Sequence, residues 1–181
     1  KHWRTNGKPG SENDPQIEVQ FMNDLLDQLQ AQYSIDPARI YANGISNGGG
    51  MSHLISCALA DRVAAIGSVS GAYLYPAENC NPARPVPLIA FHGTADAIVP
   101  YLGGPSRAFD IPFPNVPDWM QAYAQSNACT DAPQAIAAQG EVSGIRYAGC
   151  QDNADVVFYT IQGGGHSWPG GEVLPKVIVG H

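Results

Sequence analysis

The segment RIYANGISNGGGMSHLISCALA, residues 39–60, constrains this chain more than any other stretch. It passes from a short apolar run into a helical one through Gly44-Ile45-Ser46-Asn47-Gly48, with Gly49 and Gly50 behind. Glycine at that density means a tight turn or a close approach to the backbone. A serine on a strand-to-helix turn meets both demands. The strained turn lifts its hydroxyl clear of the sheet. The residues two before and two after it must be small, because strand and helix backbones pack closely there. The helix start aims N–H groups and a positive dipole end at the hydroxyl. The pentapeptide alone is weak, because G-x-S-x-G also arises by chance; the strand-to-helix setting is what raises it. The plain alternative is a glycine-rich structural turn with an incidental serine.

The flanking sequence supplies a matching frame. Ile17, Phe21, Leu25 and Leu29 step by four, with Met22, Leu26 and Tyr33 beside them, which predicts an amphipathic helix of about 17 residues. Pro37 ends it by disfavouring the helical region at Asp36. Residues 39–45, 62–73, 86–93 and 154–161 are short apolar runs of the buried-strand kind, and VPDWMQAYAQSNAC, residues 116–129, reads as a helix. Residues 129–150 read as a cysteine-closed excursion with short strands, and QGGGHSWPGG, residues 162–171, as a glycine-dense loop. Short strands alternating with helices predict an α/β fold, a mostly parallel sheet covered on both faces. With no repeat and no long linker, residues 1–181 read as one domain.

Charge and composition exclude some partners. The net charge is −7, with three lysines and no basic run, which speaks against nucleic acid or an anionic membrane surface. No apolar run reaches the roughly 20 residues of a membrane span. No oligomeric state is indicated. Cys57, Cys80, Cys129 and Cys150 form no CxxC pair, which disfavours a zinc or thioredoxin-type site. Of the three possible connectivities their order favours 57 with 80 and 129 with 150, in a secreted or periplasmic setting; four free thiols are the alternative.

A serine hydroxyl needs a base, and the base needs an orienting acid. Of the five histidines, His2 and His181 are terminal, and His53 falls on the helix after the turn. His92 ends a strand, where it could line the site without being the base. His166, in a glycine-rich loop after a late strand, is the candidate base. Asp96, in FHGTADAIVP, follows the C-terminal end of a buried strand and is the candidate acid. Asp110, Asp118, Asp131, Asp152 and Asp155 fall in or near loops and compete less well. Taken singly, Asp96 could be a turn cap and His166 a packed loop residue. The order Ser46, Asp96, His166, each at a predicted strand end, is what joins them. The backbone N–H of Asn47 would face an oxyanion formed at the serine.

The stretches IDPARIYANGISNGGGMSHLISCALADRVAAIGSVSGAY, PVPLIAFHGTADAIVPY and GGGHSWPGG resemble the poly(3-hydroxybutyrate) depolymerase and feruloyl-esterase-like group of secreted α/β-hydrolases, which overlaps carbohydrate esterase family 1. The likeness runs from about residue 15 to about residue 171. It implies Ser46 as nucleophile, Asp96 as acid, His166 as base, a Cys57–Cys80 bridge, Trp168 near the pocket, and no metal or organic cofactor. It implies an ester substrate: poly(3-hydroxybutyrate) or related short-chain esters, or else feruloyl or acetyl esters of plant cell wall. A non-catalytic remnant of the fold is the reading from another class. Members of that group begin with further strands carrying an H-G loop, which supplies a second oxyanion donor, and close with a helix after the histidine. Neither is found here. The chain is therefore expected to be a partial domain, truncated at both ends and by itself weakly active or inactive.

Overall fold

The computed structural model describes residues 2–75, 79–106 and 110–171; His181 lies outside them. Helix α1 spans Pro15–Gln32. Asp14 caps it by accepting from Gln16 N, and Pro15 supplies a preset φ at the first position. Asp36 is extended, as a residue before proline should be, and its side chain accepts from Ala38 N. Strand β1, Tyr41–Ile45, runs directly into helix α2, Asn47–Ala58. Then follow β2, Ala65–Val69, and β3, Leu88–Gly93. Helix α3, Val116–Ser126, is capped by the Asn115 side chain on Asp118 N. The chain continues through β4, Gln134–Gln139, β5, Val142–Tyr147, and β6, Val156–Ile161.

The six strands lie in one sheet in the order β1-β2-β3-β6-β5-β4. The pairs β1–β2, β2–β3 and β3–β6 are parallel, whereas β5 and β4 add an antiparallel hairpin beside β6. The register sets Ile45 opposite Val69, Val69 opposite Phe91, and Phe91 opposite Tyr159, so the parallel strands are level. Their C-terminal ends share one edge. The cysteine-closed excursion is thus part of the sheet, which its sequence did not indicate.

Strand residues alternate in and out. Leu88 and Ala90 are buried while Ile89 between them is 43% exposed. The inward set, with Ile66, Val156 and Phe158, meets Leu54 and Ile55 of α2 and Met120, Tyr123 and Ala124 of α3 in a single core. Val19 and Met22 of α1 pack against the same core, and Arg62 bonds Asn23 and Gln30 across to that helix. The sheet is flanked by helices as expected, but the expectation that both faces are covered meets a difference. All three described helices feed this one core, and the face bearing Ile89 and the stacked Phe91–Tyr159 pair carries none of them. Two bridges, Cys57–Cys80 and Cys129–Cys150, tie α2 to the segment before β3 and close the β4–β5 excursion. They are the pairing that the cysteine order favours.

His53, one helical turn and a half beyond the start of α2, belongs to this core. It is 3% exposed and ringed by Tyr73, Tyr75, Trp119 and Tyr123, the nearest ring centroid, that of Trp119, at 4.8 Å. Burial lowers its pKa from 6.5 to about 4. The unfolded chain therefore takes up a proton near pH 6.5 that the folded chain refuses until about pH 4. Between those values the unfolded state binds more protons, so stability is lost as the pH drops through that window, in total by about 3 kcal/mol. Urea denaturation followed from neutral to acid pH should show this loss, and His53→Phe should flatten the curve across that window.

Candidate active site

Ser46 occupies the N-cap of α2 with φ 58° and ψ −123°, a conformation outside the ordinary regions for an L-residue. Three backbone hydrogen bonds hold it there. Ser46 N donates to Val69 O at 2.9 Å, and its carbonyl accepts from Ala72 N at 2.9 Å and Gly50 N at 3.1 Å. The surrounding glycines leave the room that this geometry needs. A Cβ on Gly44 would stand 2.5 Å from the Gly48 carbonyl carbon, one on Gly49 2.5 Å from Ser68 Oγ, and one on Gly50 2.2 Å from Ala72 O. The expectation that the residue two after the serine must be small is not met: a Cβ on Gly48 would meet nothing within 4 Å. The close approach falls at Gly44, Gly49 and Gly50 instead.

Asp96 follows β3 in a tight turn. Its Oδ1 accepts from Ile98 N at 2.9 Å and Val99 N at 2.8 Å. Its Oδ2 accepts from His166 Nδ1 at 2.9 Å. The carboxylate is 0% exposed and the imidazole 10%. Burial alone would raise the Asp96 carboxyl; the hydrogen bonds from His166 and Val99 N, with the nearby imidazoles, outweigh it and hold the group below the usual carboxylate value. A carboxylate oxygen can only accept, so His166 carries a proton on Nδ1, and in the neutral ring the lone pair lies on Nε2.

The histidine loop reaches Asp96 because Gly93 has no side chain. A Cβ there would stand 2.1 Å from Gly164 O. Ala95 N donates to that same carbonyl at 2.9 Å, and Gly163 N donates to Thr94 Oγ1 at 2.8 Å, so the acid and histidine loops are stitched together. Ser46, Asp96 and His166 all follow C-terminal ends of level, parallel strands and share one edge of the sheet. No hydrogen bond joins Ser46 Oγ to His166 among the described residues. Strand spacing of about 4.8 Å puts the ends of β1 and β3 about 10 Å apart across β2.

The other candidates are placed differently. His92 is 1% exposed, so it does not line a pocket; it lies behind Asp96 with Nε2 2.9 Å from Val99 O. Trp168 is 48% exposed on the histidine loop. The Asn47 side chain, which sequence reasoning passed over, grips the N-terminal segment: Oδ1 accepts from Trp3 N at 2.5 Å and Nδ2 donates to Trp3 O at 3.1 Å. A shallow groove of about 970 Å³ beside the turn is lined by Trp3, Arg4, Ile45, Asn47 and Gly48. A separate pocket of about 440 Å³, lined by His53, Arg84, Pro85, Trp119 and Gln151, borders the segments that enter β3 and β6, at the opposite edge from Ser46.

The family model described as phospholipase/carboxylesterase matches residues 2–108. The chain belongs to that family. Feruloyl esterase B of Piromyces equi is 34% identical over 156 residues, covering 83% of this chain and 29% of that protein. Probable feruloyl esterase C of Aspergillus clavatus is 28% identical over 165 residues, covering 89% and 54%. The acetyl xylan esterase structure from Aspergillus awamori superposes with a TM-score of 0.54 at 16% identity, over 83% of this chain and 62% of that one, a likeness of fold. The fold is that of the α/β-hydrolases, as the resemblance implied. The chain spans between 29% and 54% of the length of these curated relatives.

The glycine geometry separates two neighbouring substitutions. Gly44→Ala drives a Cβ into the Gly48 backbone and should destabilise by about 2 kcal/mol or more, whereas Gly48→Ala enters open space and should be neutral or stabilising by up to about 1 kcal/mol through helix propensity. Chemical denaturation of the two variants checks the order.

Proposed function

We propose that this sheet edge is the active centre of a serine carboxylic-ester hydrolase, with Ser46 as nucleophile, His166 as general base and Asp96 as the acid that orients it. The observation that carries the reading is the buried Asp96–His166 pair on the same edge as a serine strained into a helix N-cap. With Nδ1–H given to the carboxylate, His166 Nε2 is free to take the Ser46 proton as the oxygen attacks an ester carbonyl. The developing oxyanion meets the backbone N–H of Asn47, which as the first residue of α2 has no intrahelical acceptor, and the positive end of that helix. His166 returns the proton to the departing alcohol. Water, deprotonated in turn by His166, then releases the acid from Ser46. Asp96, held below the usual carboxylate value, stays anionic and stabilises the imidazolium formed in both steps. The scheme draws on no metal and no organic cofactor.

For substrate we favour feruloyl or acetyl esters of cell-wall polysaccharide, because the relatives named above are feruloyl esterases. The half-exposed Trp168, two residues beyond His166 on the same loop, offers a ring face to an aromatic acyl group. Two disulfides suit an oxidising, secreted or periplasmic setting. Among the described residues no helix is long and apolar enough to cross a membrane.

Ser46→Ala in the intact protein should lower hydrolysis of p-nitrophenyl acetate by more than about a thousandfold and abolish labelling by a serine-reactive phosphonate. Retained activity would remove Ser46 from the mechanism, and an unlabelled wild type would indicate a binding module. Product analysis on methyl ferulate against poly(3-hydroxybutyrate) separates the cell-wall reading from the polyester one.

A further inference from the structure

His92 is a titratable group, 1% exposed, that stands beside the Asp96–His166 pair and that the mechanism leaves unused. A carbonyl oxygen can only accept, so His92 Nε2, 2.9 Å from Val99 O, is the protonated nitrogen. Its Nδ1 is buried with no partner. That is tolerable for a lone pair and costly for an N–H, so the ring is neutral in a single tautomer. Burial lowers its pKa, against the opposing pull of the Val99 carbonyl and Asp96 and with His166 adding to the lowering. Around the ring stand Asp96, His166 and, with centroids 5.9 Å apart, Tyr101.

The contacts of Nε2–H give it a task. It lies 3.5 Å from Asp96 Oδ2, the oxygen that holds His166 Nδ1. Val99, whose carbonyl it binds, also donates its own N–H to Asp96 Oδ1. The acid's turn therefore closes on itself through Val99. Backbone bonds, Asp96 N to Gly93 O and Ala95 N to Gly164 O, hold its first half, and His92 is the side chain of β3 that bonds its Val99 end. Removing the His92 bond leaves those backbone bonds in place but frees the Val99 end, whose N–H orients Asp96 Oδ1, and a carboxylate that turns there turns His166 with it.

We propose that His92, through Nε2–H, is a positioning residue that fixes the Asp96 carboxylate to β3 and thereby sets the direction of the His166 ring. The proposal rests on the esterase reading for its effect on rate, but not for its effect on the Asp96–His166 hydrogen bond. Gln places an amide nitrogen near the Nε2 position and Asn places one near Nδ1, so the two variants separate hydrogen bonding from packing. In the intact protein His92→Gln should keep kcat for p-nitrophenyl acetate within about fivefold. His92→Asn should lower kcat about 10- to 100-fold with KM within about twofold, the signature of a misplaced base. Low-field proton NMR should show the His166 Nδ1–H resonance in wild type and His92→Gln, and lose it to exchange in His92→Asn. Nitrogen NMR of the wild type at neutral pH should show His92 neutral with its proton on Nε2, a readout that needs no variant to fold. Equal kcat for the two variants, or a His92 found protonated or carrying its proton on Nδ1, overturns the proposal. A wild type that neither hydrolyses esters nor labels with phosphonate overturns the esterase reading instead; the two NMR measurements then decide the positioning role by themselves.

Discussion

The conformation of Ser46 is the constraint on which the rest is built. A φ of 58° with ψ −123° in a non-glycine residue costs on the order of 1–3 kcal/mol and persists only where neighbours overdetermine it. Here the overdetermination comes from both sides. β2 and the segment after it bind the residue's N–H and its carbonyl, and α2 begins at the next residue. Those contacts require the helix to lie almost against β1 and against residues 68–72. Only absent side chains at Gly44, Gly49 and Gly50 permit that. The same device recurs at the other end of the site, where Gly93 lets the backbone of residues 164 and 165 settle on it. Two close approaches, one at each half of the site, are what set a hydroxyl and an imidazole on one edge.

Electrostatics completes what sterics begins. Asp96 is fully enclosed, and an enclosed carboxylate survives as an anion only where donors surround it. Two backbone N–H groups and an imidazole bond it, and a second imidazole stands close by. The consequence is a single tautomer at each histidine, fixed by acceptors that cannot donate. His53, by contrast, is ringed by aromatic side chains, and burial is what lowers its pKa.

Much of this was legible in the residues. Period-four spacing marked α1, because an amphipathic face packs on one side only, and the short apolar runs marked β1, β3 and β6. The order serine, aspartate, histidine at strand ends marked the edge, because parallel strands put all their C-terminal ends together. What was not legible depends on distant partners. Residues 134–147 carry no strong alternation, so their pairing with β6 is decided by β6 and the Cys129–Cys150 closure rather than by their own sequence. That the helices crowd one face is invisible to periodicity, since strands of the buried kind read alike whether one face or two is covered. The strand-end position of His92 suggests a place lining the site, while its inward phase, shared with Leu88 and Ala90, is the sequence sign that it is buried. The grip of Asn47 on Trp3 joins residues 44 apart and leaves no local signal.

The two margins of the sheet differ in kind. One ends in β4, a mostly exposed strand of alanine and glutamine with one isoleucine, held in a hairpin and closed off by a cystine. The other ends in β1, whose outer backbone has no strand beside it among the described residues and whose Tyr41 is 61% exposed. Unsatisfied peptide groups next to an aromatic ring invite another extended segment to lie alongside. Among the described residues both margins are therefore open on their outer side, and the β1 margin is the one that leads directly into the Ser46 turn.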